Sequence, residues 1–204
     1  MKKDNAMKPD DKIENILEAA NKRFAHFGVD KTTMNEIADD LGISKASLYY
    51  YFPDKLNLYA AVLKKIIGAE QGVELPYINE SNLLRGMHKY LEKRTEFIIR
   101  NFRILEYLRN MVGAIPEELK ELFNEAKGRD LRIITAFLKK GKDEGQLNIP
   151  NLKRTSELLH DAITGLRIIF FSGKTPFFSG DLEFNELLSR EKELVDVFFK
   201  ALSY

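Results

Sequence analysis

Apolar residues recur along this chain at intervals of three and four, the period of a helix face, from near its start to its end. Ile13, Ile16, Leu17, Ala20, Phe24 and Phe27 form the first stripe. Asp11 and Glu14 stand at capping-box spacing before it and Gly28 supplies a stop, which predicts a helix from about Lys12 to Phe27. A second helix is expected to begin at Thr33, whose spacing to Glu36 is again that of a capping box. It would bury Ile37 and Leu41 on one face, with Ala38 small enough for close approach, and end on Gly42. Ile43 then reads as a buried plug, Ser44 as the next N-cap, and Ser44 to about Tyr50 as a short helix anchored by Leu48. Asp54 caps a fourth helix predicted to about Gln71, with Tyr59, Val62, Leu63, Ile66 and Ile67 along one stripe.

The remainder is also helical by pattern. After a break over residues 72–82, Leu83, Leu84, Met87, Leu91, Arg94 and Ile98 predict a helix to about Asn101, followed by a shorter segment from Ile104 to Val112. Pro116 is placed at the first position of a long helix carrying Leu119, Leu122, Phe123, Ala126, Ile133, Ile134 and Phe137 to about Gly141. The loop GKDEGQLNIPN leads to a helix from Leu152 to Phe171, and a final helix follows the loop that holds Phe177 and Phe178. The fold class expected is therefore all-α.

Two short helices meeting at a Gly turn, the second bearing small, hydroxyl and aromatic side chains, have the form of a helix-turn-helix, whose second helix enters the major groove. With Leu48 inward, Lys45, Ala46, Ser47, Tyr49 and Tyr50 remain for the outward arc. Lys45 can reach a guanine edge or a phosphate, Ala46 a thymine methyl, Ser47 a base or the backbone, and the tyrosine hydroxyls the phosphates. Lys55 follows Asp54 in a first helical turn, beside free N–H groups that favour a phosphate. The alternative is an αα-hairpin whose polar face is only solvated.

From Ile13 to Tyr59 the stretches ILEAANKRFAHFG and TTMNEIADDLGISKASLYYYFPDKLNLY resemble the N-terminal domain of the TetR family of transcriptional regulators, in order and at the family's spacing. The resemblance implies a homodimer. Residues 1–55 would form a three-helix DNA-binding domain, and residues 56–204 a helical domain that binds a small-molecule effector and dimerises. Carried over by position, Thr33 would contact phosphate, Lys45, Ala46, Ser47 and Tyr50 would face the groove of double-stranded operator DNA, and Tyr49 and Lys55 would hold its backbone. Most such proteins repress.

Composition narrows the classes further. A chain of 204 residues with 44% hydrophobic and 31% charged residues suits a globular protein with a sizeable core. No apolar run approaches the roughly 18 residues of a membrane span, and MKKDNAMKPDDK lacks a signal peptide's apolar stretch, so a cytoplasmic protein with no membrane partner is expected. Zero Cys removes disulfides, thiolate catalysis and Cys-based zinc sites. The net charge of +1 is low for a DNA binder, and residues 1–55 hold nine Lys and Arg against ten Asp and Glu. A positive field must then come from arrangement, through Lys45, Lys55 and the early Lys2, Lys3 and Lys8, with few phosphates engaged per subunit.

For the larger domain, Leu158, Leu159, Ala162, Leu166, Ile169 and Phe170, with Gly165, form one apolar side. Leu187, Leu188, Leu194, Val195, Phe198 and Phe199 form another. These two helices from each subunit can build a four-helix dimer interface, or simply fill the monomer core. Tyr90, Phe97, Tyr107, Met111, Phe123 and Phe137 are the candidate effector-pocket residues, with core packing as the alternative. His88 and His160 are the imidazoles available there, and Arg94, Arg100 and Arg103 would suit an acidic effector. A helical-bundle metalloenzyme is the rival class, on Glu157 with His160 and His88 with Glu92, but its ligand set is incomplete. A TetR-like scaffold without DNA binding is the other. No enzyme activity, cofactor or metal is expected.

Overall fold

A computed structural model describes residues 9–69, 75–111, 115–172 and 181–203. The expected contributions of Lys2, Lys3, Lys8, Phe177 and Phe178 lie outside the described residues. Among those described, the helices are α1 (Pro9–Phe27), α2 (Met34–Asp40), α3 (Lys45–Tyr51), α4 (Lys55–Gly68), α5 (Leu75–Ile78), α6 (Leu83–Arg100), α7 (Phe102–Leu105), α8 (Glu117–Asp143), α9 (Leu152–Ser172) and α10 (Asp181–Leu202). A 3-10 turn, Glu106–Met111, follows α7. The all-α class is as the sequence predicts. α5 falls within the expected break, and α1 starts at Pro9, so Asp11 sits inside its first turn instead of capping it. Proline suits that first position because its missing N–H would have no intrahelical partner there.

The helices divide into two compact units, Met1–Glu70 with Asn101–Leu122, and Gln71–Arg100 with Phe123–Tyr204. The expected boundary at residue 55 follows the helix-turn-helix, whereas packing takes α4, α7 and the start of α8 into the first unit. Its core holds Ile16, Ala20, Phe24, Val29, Met34, Ile37, Ala38, Leu48, Leu58, Tyr59, Val62 and Leu63, joined by Ile104 and Leu119 from the returning segment. Ile13 and Phe27, at the ends of the first stripe, are exposed, and Leu41, Ile43, Ile66 and Ile67 are only half-buried, so the helix faces bury less than their periodicity predicts. Tyr59 on α4 is the pivot of this core. Its hydroxyl donates to the Ile104 carbonyl at 2.8 Å, and its ring meets Phe24 and Tyr107 edge-on at 6.1 and 4.9 Å. Burial pushes its phenol pKa far up, so the donor stays protonated.

In the second unit, Leu83, Met87, Tyr90, Leu91, Ile133, Ile134, Phe137, Leu138, Leu159, Ile163, Val195 and Phe199 form the core, with Leu147 and Ile149 from the loop after α8. Gly86 is required by closeness: a Cβ there would collide with the Tyr77 carbonyl oxygen and press on Phe137. Charged side chains also cross this bundle. Arg94 Nη2 lies 2.9 Å from Asp130 Oδ2, Tyr90 donates to Asp130 at 3.3 Å, and Arg167 Nε donates to Glu191 Oε1 at 2.6 Å, with Glu191 fully buried. The expected dimer stripes separate into two sets. Leu159, Phe170, Leu187, Val195 and Phe199 belong to the core, while Leu158 and Ile169 are exposed at 60% and 66%, with Val197 at 63%. Leu158, Ala162, Gly165 and Ile169 continue one outward face of α9 at helical spacing.

Glu191→Ala would remove the carboxylate hydrogen-bonded to the buried Arg167, which is expected to cost about 3–5 kcal/mol. Gly86→Ala forces overpacking and is expected to cost about 1–3 kcal/mol. Urea unfolding of each variant against the parent protein checks both.

Candidate nucleic-acid interface

The helix-turn-helix is assembled by local hydrogen bonds. Thr33 lies in extended backbone before α2. Its Oγ1 accepts from the Glu36 N–H at 3.3 Å, while the Glu36 carboxylate accepts from the Thr33 N–H and hydroxyl, each at 2.8 Å, which completes the predicted capping box. Those bonds hold the Glu36 pKa below the usual carboxylate range, the backbone bond contributing most. At the other end Gly42 takes φ +62, its N–H reaches the Asp39 carbonyl at 3.1 Å, and the Ile43 N–H reaches the Ala38 carbonyl at 3.1 Å. That pair of bonds is a Schellman ending, which turns the chain with its last carbonyls satisfied. Ser44 then caps α3 through its Oγ, which accepts from the Ser47 N–H at 3.1 Å. Asp54 caps α4 the same way at 2.8 Å from the Asn57 N–H, which lowers its pKa.

Leu48 is fully buried, and it sets the rotation of α3. Lys45 and Ala46 point outward, Tyr50 is 83% exposed and Tyr49 is 39% exposed. Lys45 Nζ lies 5.6 Å from the centre of the Tyr49 ring, and Tyr50 meets the half-buried Tyr51 edge-on at 5.2 Å. Ser47, half-buried, stands at the margin of this arc. Thr33 is exposed on the adjoining end of α2, but its hydroxyl donates to Glu36, so a phosphate contact by that proton would place two anions side by side.

Lys55 departs from the expectation. Its ammonium donates to the carbonyls of Val29 at 2.9 Å, Thr32 at 3.1 Å and Asp30 at 3.3 Å. An ammonium has three protons, and all three are engaged within the protein, where the sequence had offered them to the DNA backbone. The weak charge of the unit is handled by a residue that the motif did not single out. Arg23 of α1 donates from Nη2 at 2.8 Å and from Nε to the two carboxylate oxygens of Asp40, and lies 3.4 Å from Glu36. The acidic residues of α2 are thereby answered from behind. Only the mixed sign of Arg23 and Asp40 hinted at this in the sequence; nothing in the spacing pairs them.

The expected effector residues fall in both units. Tyr90 and Phe137 lie 6.1 Å apart in the core of the second unit, Phe97 is buried there with the Arg94 guanidinium 5.8 Å from its ring centre, and Phe123 is half-buried. Tyr107 and Met111 belong to the first unit, where Tyr107 packs on Tyr59. Three of the residues named for the metalloenzyme alternative have other partners. His88 pairs with Asp196 at 2.7 Å, Glu92 with Lys192 at 2.6 Å, and His160 with the adjacent Asp161 at 3.1 Å. Among the described residues no group of three His, Asp or Glu is placed to hold a metal ion.

Replacing Thr33 or Ser44 by Ala removes one N-cap and is expected to cost about 1 kcal/mol of stability each. Thermal unfolding followed by circular dichroism checks this.

Comparison with known proteins agrees with the geometry. The family model described as bacterial regulatory proteins, tetR family, matches residues 16–62, the span from α1 to α4. The HTH-type transcriptional regulator RutR of Escherichia coli strain K12 is 30% identical over 132 residues, and that match spans 62% of this chain and 62% of the relative. A transcriptional regulator from Cytophaga hutchinsonii superimposes with a TM-score of 0.80 at 28% identity, over 95% of this chain and 99% of the other. A TetR-family regulator from Pectobacterium atrosepticum shares the fold at a TM-score of 0.71 and 15% identity, over 95% of each chain. The family signature lies across the helix-turn-helix just described, so residues 16–62 form a DNA-binding-type domain of the tetR family of bacterial regulatory proteins.

Proposed function

We propose that this protein is a dimeric transcriptional regulator of the cytoplasm, without enzyme activity, that binds operator DNA through α3 and is released by a small effector. The observation that carries the reading is the exposed arc of Lys45, Ala46, Tyr49 and Tyr50 held in place by the fully buried Leu48. A seven-residue helix whose outward side offers a cation, a methyl and two phenols matches what base edges and phosphates require. Repression is the sense that the resemblance implies. Among the described residues no helix is long and apolar enough to cross a membrane.

The outward face of α9 supports dimerisation. Leu158 and Ile169 are left mostly outside the monomer core, and a second copy of the same face would bury them. A dimer presents two copies of α3, whose separation must match successive major grooves, roughly 34 Å apart for adjacent half-sites. For the effector, the second unit is the favoured host. Glu191 Oε2, Arg94 Nε and Thr95 Oγ1 are buried there without a hydrogen-bond partner, which suits a ligand with polar groups better than a purely apolar one.

Selection of duplexes by the purified protein from a random-sequence pool, followed by gel-shift titration, tests the reading; failure to enrich any sequence would sink it. Lys45→Ala is expected to cost about 1–3 kcal/mol of affinity and to relax the preference at one position. Equal losses on every sequence would show that Lys45 contacts phosphate alone. Leu158→Asp with Ile169→Asp is expected to yield a folded monomer by analytical ultracentrifugation, with weakened operator binding.

A further inference from the structure

The first residue of α4 is an awkward place for a lysine. The N-terminal turn of a helix carries partial positive charge, so a free ammonium there is disfavoured. Lys55 resolves this by reaching back to the turn between α1 and α2. That turn is built to receive it. Gly28 takes φ +84 and returns its N–H to the Phe24 carbonyl at 3.0 Å; Thr32, almost fully buried, donates its hydroxyl to the Gly28 carbonyl at 2.8 Å and its N–H to the Val29 carbonyl at 3.3 Å. With the turn fixed in this way, the carbonyls of Val29, Asp30 and Thr32 converge on a single point, and the Lys55 Nζ occupies it.

Thr32 immediately precedes the N-cap of α2, and Lys55 opens α4. The bond between them closes a loop that contains the whole of α2, the turn and α3. Leu48 fixes how α3 is rotated in the core, but the core is apolar and non-directional. Three converging bonds from a charged donor are directional, and they tie α4 to the front of the loop. From this geometry we infer that Lys55 is a positioning residue that makes α4 and the helix-turn-helix one rigid body, and that it is not a phosphate ligand. The inference rests on the DNA-binding reading proposed above. Under it, a tilt of α4 carries the recognition helix with it.

The test compares full-length wild-type protein with Lys55→Met and Lys55→Arg on the duplex selected by wild-type protein, titrated at several salt concentrations. The clasp requires a compact donor at a point of convergence, which neither methionine nor the planar fork of arginine supplies. Both variants are therefore expected to lose operator affinity by tenfold or more, while the slope of log K against log salt stays at the wild-type value. A phosphate ligand behaves oppositely. Methionine would reduce the slope by about 0.9 for each phosphate no longer neutralised, and arginine would bind as wild type does; either result overturns the inference. A second measurement does not depend on the variants. In 1H–15N spectra of the wild-type protein, the Lys55 ammonium is expected to show slowly exchanging protons correlated with the carbonyl carbons of Val29, Asp30 and Thr32, and a fast-exchanging ammonium overturns the clasp. If wild-type protein selects no duplex, the DNA-binding reading fails, and the ammonium signal still decides whether the clasp exists.

Discussion

Helix nucleation is costly, and helices shorter than roughly 12–15 residues are marginal in water on their own. α2 and α3, at seven residues each, are far below that length. Their existence depends on satisfying the backbone groups at their ends and on burying a few side chains in the core of the first unit. The structure meets the first need with Thr33, Gly42 and Ser44, and the second with Met34, Ile37 and Ala38 of α2 and Leu48 of α3. Everything proposed for the outward face follows from this division of labour. Because so few side chains hold α3 inward, nearly all the others are free to point away from the protein.

The caps were legible in the sequence because they are local. Thr33 with Glu36, Gly42, Ser44 and Asp54 each act within four residues of themselves, and their chemistry admits few other conformations. Leu48 was legible because a lone large aliphatic side chain in so polar a helix has one place to go. Lys55 was not, since its partners are backbone carbonyls 23 to 26 positions away, and carbonyls carry no sequence signature. The same holds for Arg23 and Asp40, whose pairing depends on how α1 and α2 cross. Periodicity also overstated burial at Leu41, Ile43 and Ile66, because it reports which face a residue lies on and not how far the neighbouring helix extends.

The larger unit shows the limits of pattern differently. Aromatic residues were grouped as a pocket because they were numerous, yet Tyr90 and Phe137 fill the core and Tyr107 serves the other unit. The informative residues were the charged ones. Glu191 and Arg167 were not singled out by any pattern in the sequence, yet they face each other inside. Burying ions in this way seldom stabilises a fold relative to apolar packing.

The hydrogen bond from Tyr59 to Ile104 has a consequence for modularity. Residues 101–122 leave the second unit to complete the core of the first, so the chain passes between the two units at three points. A segment cut after α4 would lack Ile104, Tyr107 and Leu119, and would expose the apolar surface that they cover. The recognition module is thus discontinuous in the chain. A chimera that carries both stretches inherits the whole of that core.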